Sequence, residues 1–209
     1  MPGAEHLVFL VEEPSMESFL RGLLPRVIPR GVSFDAHPFG GKDDLMAKLE
    51  ARLRGYASWL PANWRIFVIV DRDDDDCRLL KARMDRIAQG AGLRTGSRLR
   101  ASDRVEWQLV SRIAIEELEA WYFGDWDAVR AAYPRVPKGI QRKHAYRDPD
   151  AISGGTWQAF ERVMQRSGYF SAGLRKIELA SEMGLRIDPS RNRSASFAAL
   201  HSVLADAVA

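Results

Sequence analysis

One cysteine in 209 residues, Cys77, excludes an internal disulfide and every zinc cage built on several thiolates. It follows the acidic run Asp73-Asp74-Asp75-Asp76, whose charge disfavours a thiolate, so it makes a poor nucleophile. Histidine is also scarce: His6, His37, His144 and His201 share no spacing that would build a metal site. No apolar run approaches the roughly 20 residues of a membrane span, and Met1 to Glu5 lacks the basic and apolar regions of a leader. The expected location is therefore the cytoplasm, with no membrane partner. There is no repeat or low-complexity tract, and at 46% hydrophobic and 28% charged residues the chain can bury a core rather than stay disordered.

Net charge is the other quantity in short supply. A formal +3 is too small to announce a polyanionic partner, but it is unevenly distributed. From Arg130 onward 13 basic residues face 7 acidic ones, a local +6, which leaves −3 for the rest. Much of the excess lies in one acid-free stretch carrying Arg130, Arg135, Lys138, Arg142, Lys143 and Arg147, with Tyr133 and Tyr146 interleaved. Such a stretch reads either as a solvated surface or as a track for a phosphate backbone.

The apolar pattern supplies the fold class. His6 to Val11 is an apolar run of strand length, and after Pro14-Ser15 the residues Met16, Phe19, Leu20, Leu23 and Leu24 recur at helical spacing. Gly31 to Phe39 reads as a second strand, and Lys42 to Tyr56 as a helix with Leu45, Leu49 and Leu53 on one stripe. The uninterrupted run Ile66-Phe67-Val68-Ile69-Val70 is expected of a strand covered on both faces. A helix from about Asp75 to Ala91 and a strand candidate within Val105 to Ile115 continue the alternation. This order predicts an α/β fold, a parallel sheet flanked by helices. Beyond residue 126 strand character ends, and helices are expected over Trp126–Tyr133, Trp157–Ser167, Ser171–Met183 and Ser194–Ala207. The expected organisation is a core over 1–125 and a basic, mainly helical C-terminal region over 126–209 packed on it.

Acids stand where those strands end: Glu12-Glu13, Asp71-Arg72-Asp73, and Glu116-Glu117-Leu118-Glu119. In an open parallel sheet, ligands bind beyond the carboxyl ends of the strands. If these strands are neighbours, the carboxylates converge, repel one another and call for a cation, and an all-oxygen set suits Mg²⁺ or Mn²⁺. On an extended backbone Asp71 and Asp73 would point to the same side. Asp74, Asp75 and Asp76 read more simply as loop acids and first-turn charges of the next helix. A helical start at Glu116 would pair Glu116 with Glu119, whereas an extended one would pair Glu117 with Glu119, and both pairings stay open.

In order and spacing, the strings Leu10-Val11-Glu12-Glu13-Pro14-Ser15-Met16-Glu17, Val-Ile-Val-Asp71-Arg72-Asp73-Asp74-Asp75 and Ile-Glu116-Glu117-Leu118-Glu119-Ala120-Trp121 resemble the DUF4276 family. These are Toprim-like proteins related to the Toprim domains of topoisomerases, bacterial primases and overcoming-lysogenization-defect (OLD) nucleases. The resemblance extends to Arg193-Ser194-Ala195-Ser196-Phe197. It implies a Toprim-like fold whose first-strand glutamate is Glu12 and whose Asp-x-Asp pair is Asp71 and Asp73, binding Mg²⁺ for phosphodiester chemistry. It also implies that Glu117 and Glu119 support a second metal. Glu13 stands where the family commonly has glycine, so the strand-to-helix turn must be made otherwise, with Pro14 as the candidate. The family further implies a nuclease of phage-defence modules, encoded beside an ABC-type ATPase.

The expected activity is metal-dependent phosphodiester hydrolysis of DNA or RNA, with Glu12, Asp71 and Asp73 on one metal and Glu117 and Glu119 on another. Lys42, Lys176 and Arg193 are candidates for stabilising transition-state charge, and Lys42, Lys138, Arg142, Lys143 and Arg193 for nucleic-acid contact. Gly40-Gly41-Lys42 is not a P-loop, so any ATP hydrolysis belongs to a partner. Two rivals remain. One is a non-catalytic Toprim-like subunit that binds a partner or senses a ligand. The other is a phosphotransferase with an aspartyl nucleophile, a haloacid-dehalogenase-type loop, although Asp75 stands where such loops carry Thr or Val. Ser194 and Ser196 read as caps of the last helix, and the six tryptophans as core or interface anchors.

Overall fold

The computed structural model describes residues 3–96 and 107–209. Among these, four strands form one parallel sheet: β1 (His6–Val11), β2 (Ser33–Pro38), β3 (Trp64–Asp71) and β4 (Leu109–Ala114), in the order β2-β1-β3-β4. Of the expected strand from Val105 to Ile115, Val105 and Glu106 lie outside the described residues. The two central strands are the apolar runs: all six residues of β1 are buried, as are Ile66 to Asp71 of β3. Edge strand β2 alternates more exposed positions with the buried Ala36, as expected where one side lacks a neighbour.

Helices cover both faces. α1 (Pro14–Val27) buries Met16, Phe19, Leu20, Leu23 and Leu24 on the face that carries Leu7, Phe9, Val11, Phe67 and Ile69. α2 (Lys42–Ala57) and α3 (Cys77–Gly90) bury Leu45, Leu49, Leu53, Leu80 and Met84 on the face of Val8, Leu10, Ile66, Val68 and Val70. The chain runs outward from β1 to β2 and then back across β1 to β3. Right-handed crossovers in opposite directions must lie on opposite faces, which is why α1 and α2 are separated by the sheet. A crevice therefore opens at the carboxyl ends of β1 and β3.

The C-terminal helices are α5 (Trp126–Ala132), α6 (Thr156–Arg166), α7 (Lys176–Arg186) and α8 (Ala195–Val208), with three short 3₁₀ turns between Ile140 and Ala151. The core continues across residue 125, because these helices share one apolar cluster with α1 and the same sheet face. Its centre is a helix that periodicity does not reveal, α4 (Glu119–Gly124), in which all six residues are buried. Its Trp121 packs against Phe19 and Phe197, and its Phe123 against Trp126 and Phe160. Helix α7 starts at Lys176 rather than at the expected Ser171. Gly173 has φ 104° and Phe170 φ 52°, and Glu161 of α6 accepts the Leu174 N–H, which holds 171–175 outside a helix.

α1 and α7 cross at two glycines. A Cβ on Gly184 would strike the Phe19 carbonyl oxygen and lie 3.2 Å from the Gly22 Cα. Arg26 Nη1 then donates to the Gly184 and Ile187 carbonyls, at 2.8 and 3.0 Å, and closes the end of α7 from α1. Gly184→Ala should force the helices apart, at a cost of about 1–3 kcal/mol. For a chain of this size a thermal melt should register a fall of roughly 2–12 °C.

Candidate functional site

Because β1, β3 and β4 are parallel neighbours in register, the residues that follow them leave the sheet along one edge. Glu12 follows β1 directly, and its Oε2 accepts the Asp71 N–H at 2.9 Å. Asp71 is the last residue of β3 and is only 9% exposed. Its Oδ1 is buried and has no hydrogen-bond partner. Glu119 opens α4 after β4 and is 4% exposed.

The turn after β1 answers the glycine question. Glu13 is fully extended at φ −145° and occupies the N-cap position of α1, with Pro14 as the first helical residue. No left-handed residue is required, since proline supplies the helical φ. Ser15 Oγ donates to Glu13 Oε1. On the other side Gly41, at φ 112°, donates its N–H to the Glu12 carbonyl and starts α2 beside the acids.

Three expectations change. The strand alternation stops at Asp71: Asp73 has φ 48°, so the two aspartates are not set by an extended backbone. Asp73 is exposed, and Lys42 Nζ lies 2.7 Å from its carboxylate, 2.8 Å from that of Asp75 and 3.0 Å from the Arg72 carbonyl. Asp75 is thus an ion-pair partner rather than only a solvated loop acid. Asp76 does serve the following helix, accepting the Arg78 and Leu79 N–H groups as its N-cap. An open cleft of about 500 Å³ lies over Glu12, Lys42, Asp73 and Asp75.

Of the two pairings considered for the third acidic cluster, Glu116 with Glu119 does not form, whereas Glu117 stays close enough to Glu119 for its charge to act on it. Glu116 adopts φ 62° and its carboxylate pairs with Arg72. Glu117 Oε2 accepts from Thr156 Oγ1 at 2.9 Å and from the Trp157 N–H at 2.8 Å, fixing the first turn of α6. Glu119 alone of the three points into the buried centre, where its charge interacts with Lys176, Glu117 and Glu13. Lys176, the first residue of α7, brings Nζ to 3.8 Å from Glu13 Oε1 and 5.5 Å from the centre of the Trp157 ring. Among the described residues, no three His, Cys, Asp or Glu side chains form a ready cage for a metal ion.

The electrostatics are those of crowded, dry carboxylates. Burial, then the charges of Glu12 and Glu119, push Asp71 well above the usual carboxylate range. Burial also raises Glu12, although the Asp71 N–H works against it. Glu119 is pushed up to about 7 by burial, with Lys176 opposing. Burial alone would lower Lys176, but Glu119, Glu13 and Asp71 outweigh it and hold the ammonium above its ordinary value. Lys42 is likewise lowered by burial and raised overall by its bonds to Asp73 and Asp75.

The basic stretch lies elsewhere. Lys138, Arg142, Lys143 and Arg193 are exposed on loops and turns, and Arg193 Nη1 donates to the Arg147 carbonyl. Its tyrosines face inward: Tyr133 packs on Tyr169 and Phe170, and Tyr146 stacks on Phe123 at 5.2 Å. Ser194 caps α8 by accepting the Phe197 N–H, whereas Ser196 accepts from Trp121 Nε1 and donates to Asp150. Arg72, Thr156 and the Trp157 backbone N–H are the neighbours of the acids that sequence reasoning overlooked.

Glu119 has a measurable consequence. Its carboxyl titrates near 4.5 when unfolded and at about 7 when folded, so between those values the folded state keeps a proton that the unfolded state has lost. Stability contributed by the protonated group is present below pH 4.5 and falls as pH rises to 7, by roughly 3 kcal/mol for the full displacement. In EDTA, Glu119→Gln should match the wild-type melting temperature near pH 4.5 and exceed it above pH 7. A parallel pair of pH profiles would contradict this.

Comparison with protein families matches residues 11–205 to a domain of unknown function, DUF4276. Among solved structures the chain is similar to the C-terminal region of the Xanthomonas campestris pv. campestris OLD protein, at 15% identity and a TM-score of 0.47, over 98% of this chain and 96% of that one. No curated protein matches. The family match runs from the last residue of β1 into α8, and the chain therefore belongs to the DUF4276 family.

Proposed function

We propose that this protein is a divalent-metal-dependent phosphodiesterase acting on DNA or RNA, with its centre at Glu12, Asp71 and Glu119. The observation that carries the reading is the Asp71 carboxylate: buried at the end of a central strand, with Oδ1 unpartnered and four further carboxylates, Glu12 and Glu119 foremost, acting on it. An ionised group in that position is costly unless a cation answers it. Lys42 does not, since its ammonium is taken by Asp73 and Asp75.

The residues present fit Mg²⁺ or Mn²⁺ by chemistry: the donors are carboxylate oxygens without histidine or thiolate. Glu12, Asp71 and Asp73 would hold one ion, and Glu119 with Glu117 would contribute to a second. For the first ion, Glu12 Oε2 would have to be shared with the Asp71 N–H, and Asp73 with Lys42. When bound, it supplies Lewis-acid polarisation of the phosphate and a water of lowered pKa.

The chain's own residues supply the rest. Lys176, kept protonated by the acids around it, offers positive charge to a phosphate oxygen at the same edge. Glu119, pushed up to about 7 by burial, would give up its proton on taking a cation, so metal uptake there would release a proton near neutral pH. Lys138, Arg142, Lys143 and Arg193 would attract the polyanion from a distance rather than touch the reacting group. The family resemblance adds an ABC-type ATPase as the partner that would gate the activity. The rival reading, a non-catalytic binding subunit, makes the opposite forecast for the experiment below.

Purified protein should hydrolyse single-stranded or duplex DNA or RNA in Mg²⁺ or Mn²⁺ and not in EDTA. Asp71→Asn and Glu12→Gln should each lower the rate by roughly a hundredfold or more. Metal-dependent cleavage that survives both substitutions would place the chemistry elsewhere. Cleavage that appears only after addition of a cognate ATPase would make the protein a gated effector.

A further inference from the structure

We infer that the open part of the Trp157 indole is a stacking surface for a nucleobase whose phosphate lies at the acidic centre, which makes unpaired nucleic acid the substrate class of that centre. This rests on the phosphodiesterase reading above.

Three observations carry it. First, the turn of α6 that carries Trp157 is tied to an acid of the third cluster, since the Trp157 backbone N–H and the Thr156 hydroxyl both donate to Glu117 Oε2. The backbone from which the ring projects is thus anchored to one of the acids. Second, Lys176 Nζ stands 5.5 Å from the ring centre and 3.8 Å from Glu13 Oε1, so a cation and an aromatic ring occupy the same edge. A nucleotide carries an anion and a flat π-face only a few ångströms apart, and this pair of side chains presents the complement of both. Third, the indole is only partly buried, whereas Trp107, Trp121 and Trp126 are at most 6% exposed.

The alternatives within the chain are already engaged. Tyr133 and Tyr146 of the basic stretch are spent on Tyr169, Phe170 and Phe123. The exposed Trp59 packs edge-on against Trp64, whose ring lies against His6, at the amino ends of β1 and β3 and so across the sheet from the acids. Bases in a duplex have both faces covered by neighbours, so a ring beside the centre selects a base that is unstacked.

The test uses full-length protein in Ca²⁺, with fluorescein-labelled single strands that bear either bases or abasic sites on the same backbone, read by fluorescence anisotropy. Wild-type protein should bind the base-bearing strand about tenfold or more tightly than the abasic one. Trp157→Ala should lower affinity for the base-bearing strand to that for the abasic one and leave the abasic affinity unchanged. Trp157→Phe, which keeps a ring, should retain most of the preference. Equal weakening of both strands by Trp157→Ala marks a structural role and overturns the inference, as does a preference that survives the substitution or no measurable single-strand binding. The cleavage assay is separate. A Trp157-dependent base preference without any metal-dependent hydrolysis would keep the stacking surface and remove the phosphodiesterase reading.

Discussion

The structure depends on an electrostatic tension created by its own topology. Parallel strands in register must release their following residues along one edge, and here β1, β3 and β4 release acids. Asp71 and Glu119 are carried into the apolar interior at that edge; burial raises both, with repulsion from Glu12 and Glu119 adding at Asp71 and from Glu117 and Glu13 at Glu119. A fold selected only for stability would place neutral or apolar groups at these positions, since buried unpaired charge is among the costliest features a core can hold. That such groups sit at the crevice between oppositely wound halves, where open sheets bind ligands, is the physical case for a site rather than a defect.

The surroundings hold these acids in place without neutralising them. Glu12 is oriented by the Asp71 N–H, and the two acidic loops are tied by the Asp73 N–H to the Glu116 carbonyl and by the Arg72–Glu116 pair. Asp73 and Glu116 both adopt left-handed backbone that costs non-glycine residues energy, and the reciprocal loop contacts are what maintain it. Glu117 is committed to the start of α6, and Glu13 to the turn into α1. The helices that pack on the core thus also place Trp157 and Lys176 against it, which gives the C-terminal region a part in the site as well as in the fold.

Much of this was legible in the chain, and the reason is period. β1 and β3 are continuous apolar runs bounded by charge, and α1, α2 and α3 carry stripes at helical spacing, so local pattern defines them. The acids at strand ends follow at once from those limits. What local pattern could not show is anything decided by a tertiary partner. Helix α4 is buried on all sides and has no stripe to read. The left-handed turns at Asp73 and Glu116 are imposed by a neighbouring loop, and Lys42 reaches Asp73 only because the sheet brings residues 42 and 73 together. Glu117 and Trp157, 40 residues apart, meet for the same reason.

The charge asymmetry also takes on a definite meaning in three dimensions. Of the 13 basic residues from Arg130 onward, Lys176 is the one that enters the field of Asp71 and Glu119. Lys138, Arg142, Lys143 and Arg193 sit exposed on turns, where charge is screened within about a Debye length and individual contacts contribute little. Their common effect is a field, which under the proposed function would raise the encounter rate of a polyanion without fixing its register. Under that proposal register would come from groups that are held: Lys176, braced between Glu13 and Trp157, and the buried carboxylates. A bound divalent ion would reverse the sign of the acidic edge, so that the two halves of the molecule, opposite in charge as chains, would attract the same ligand.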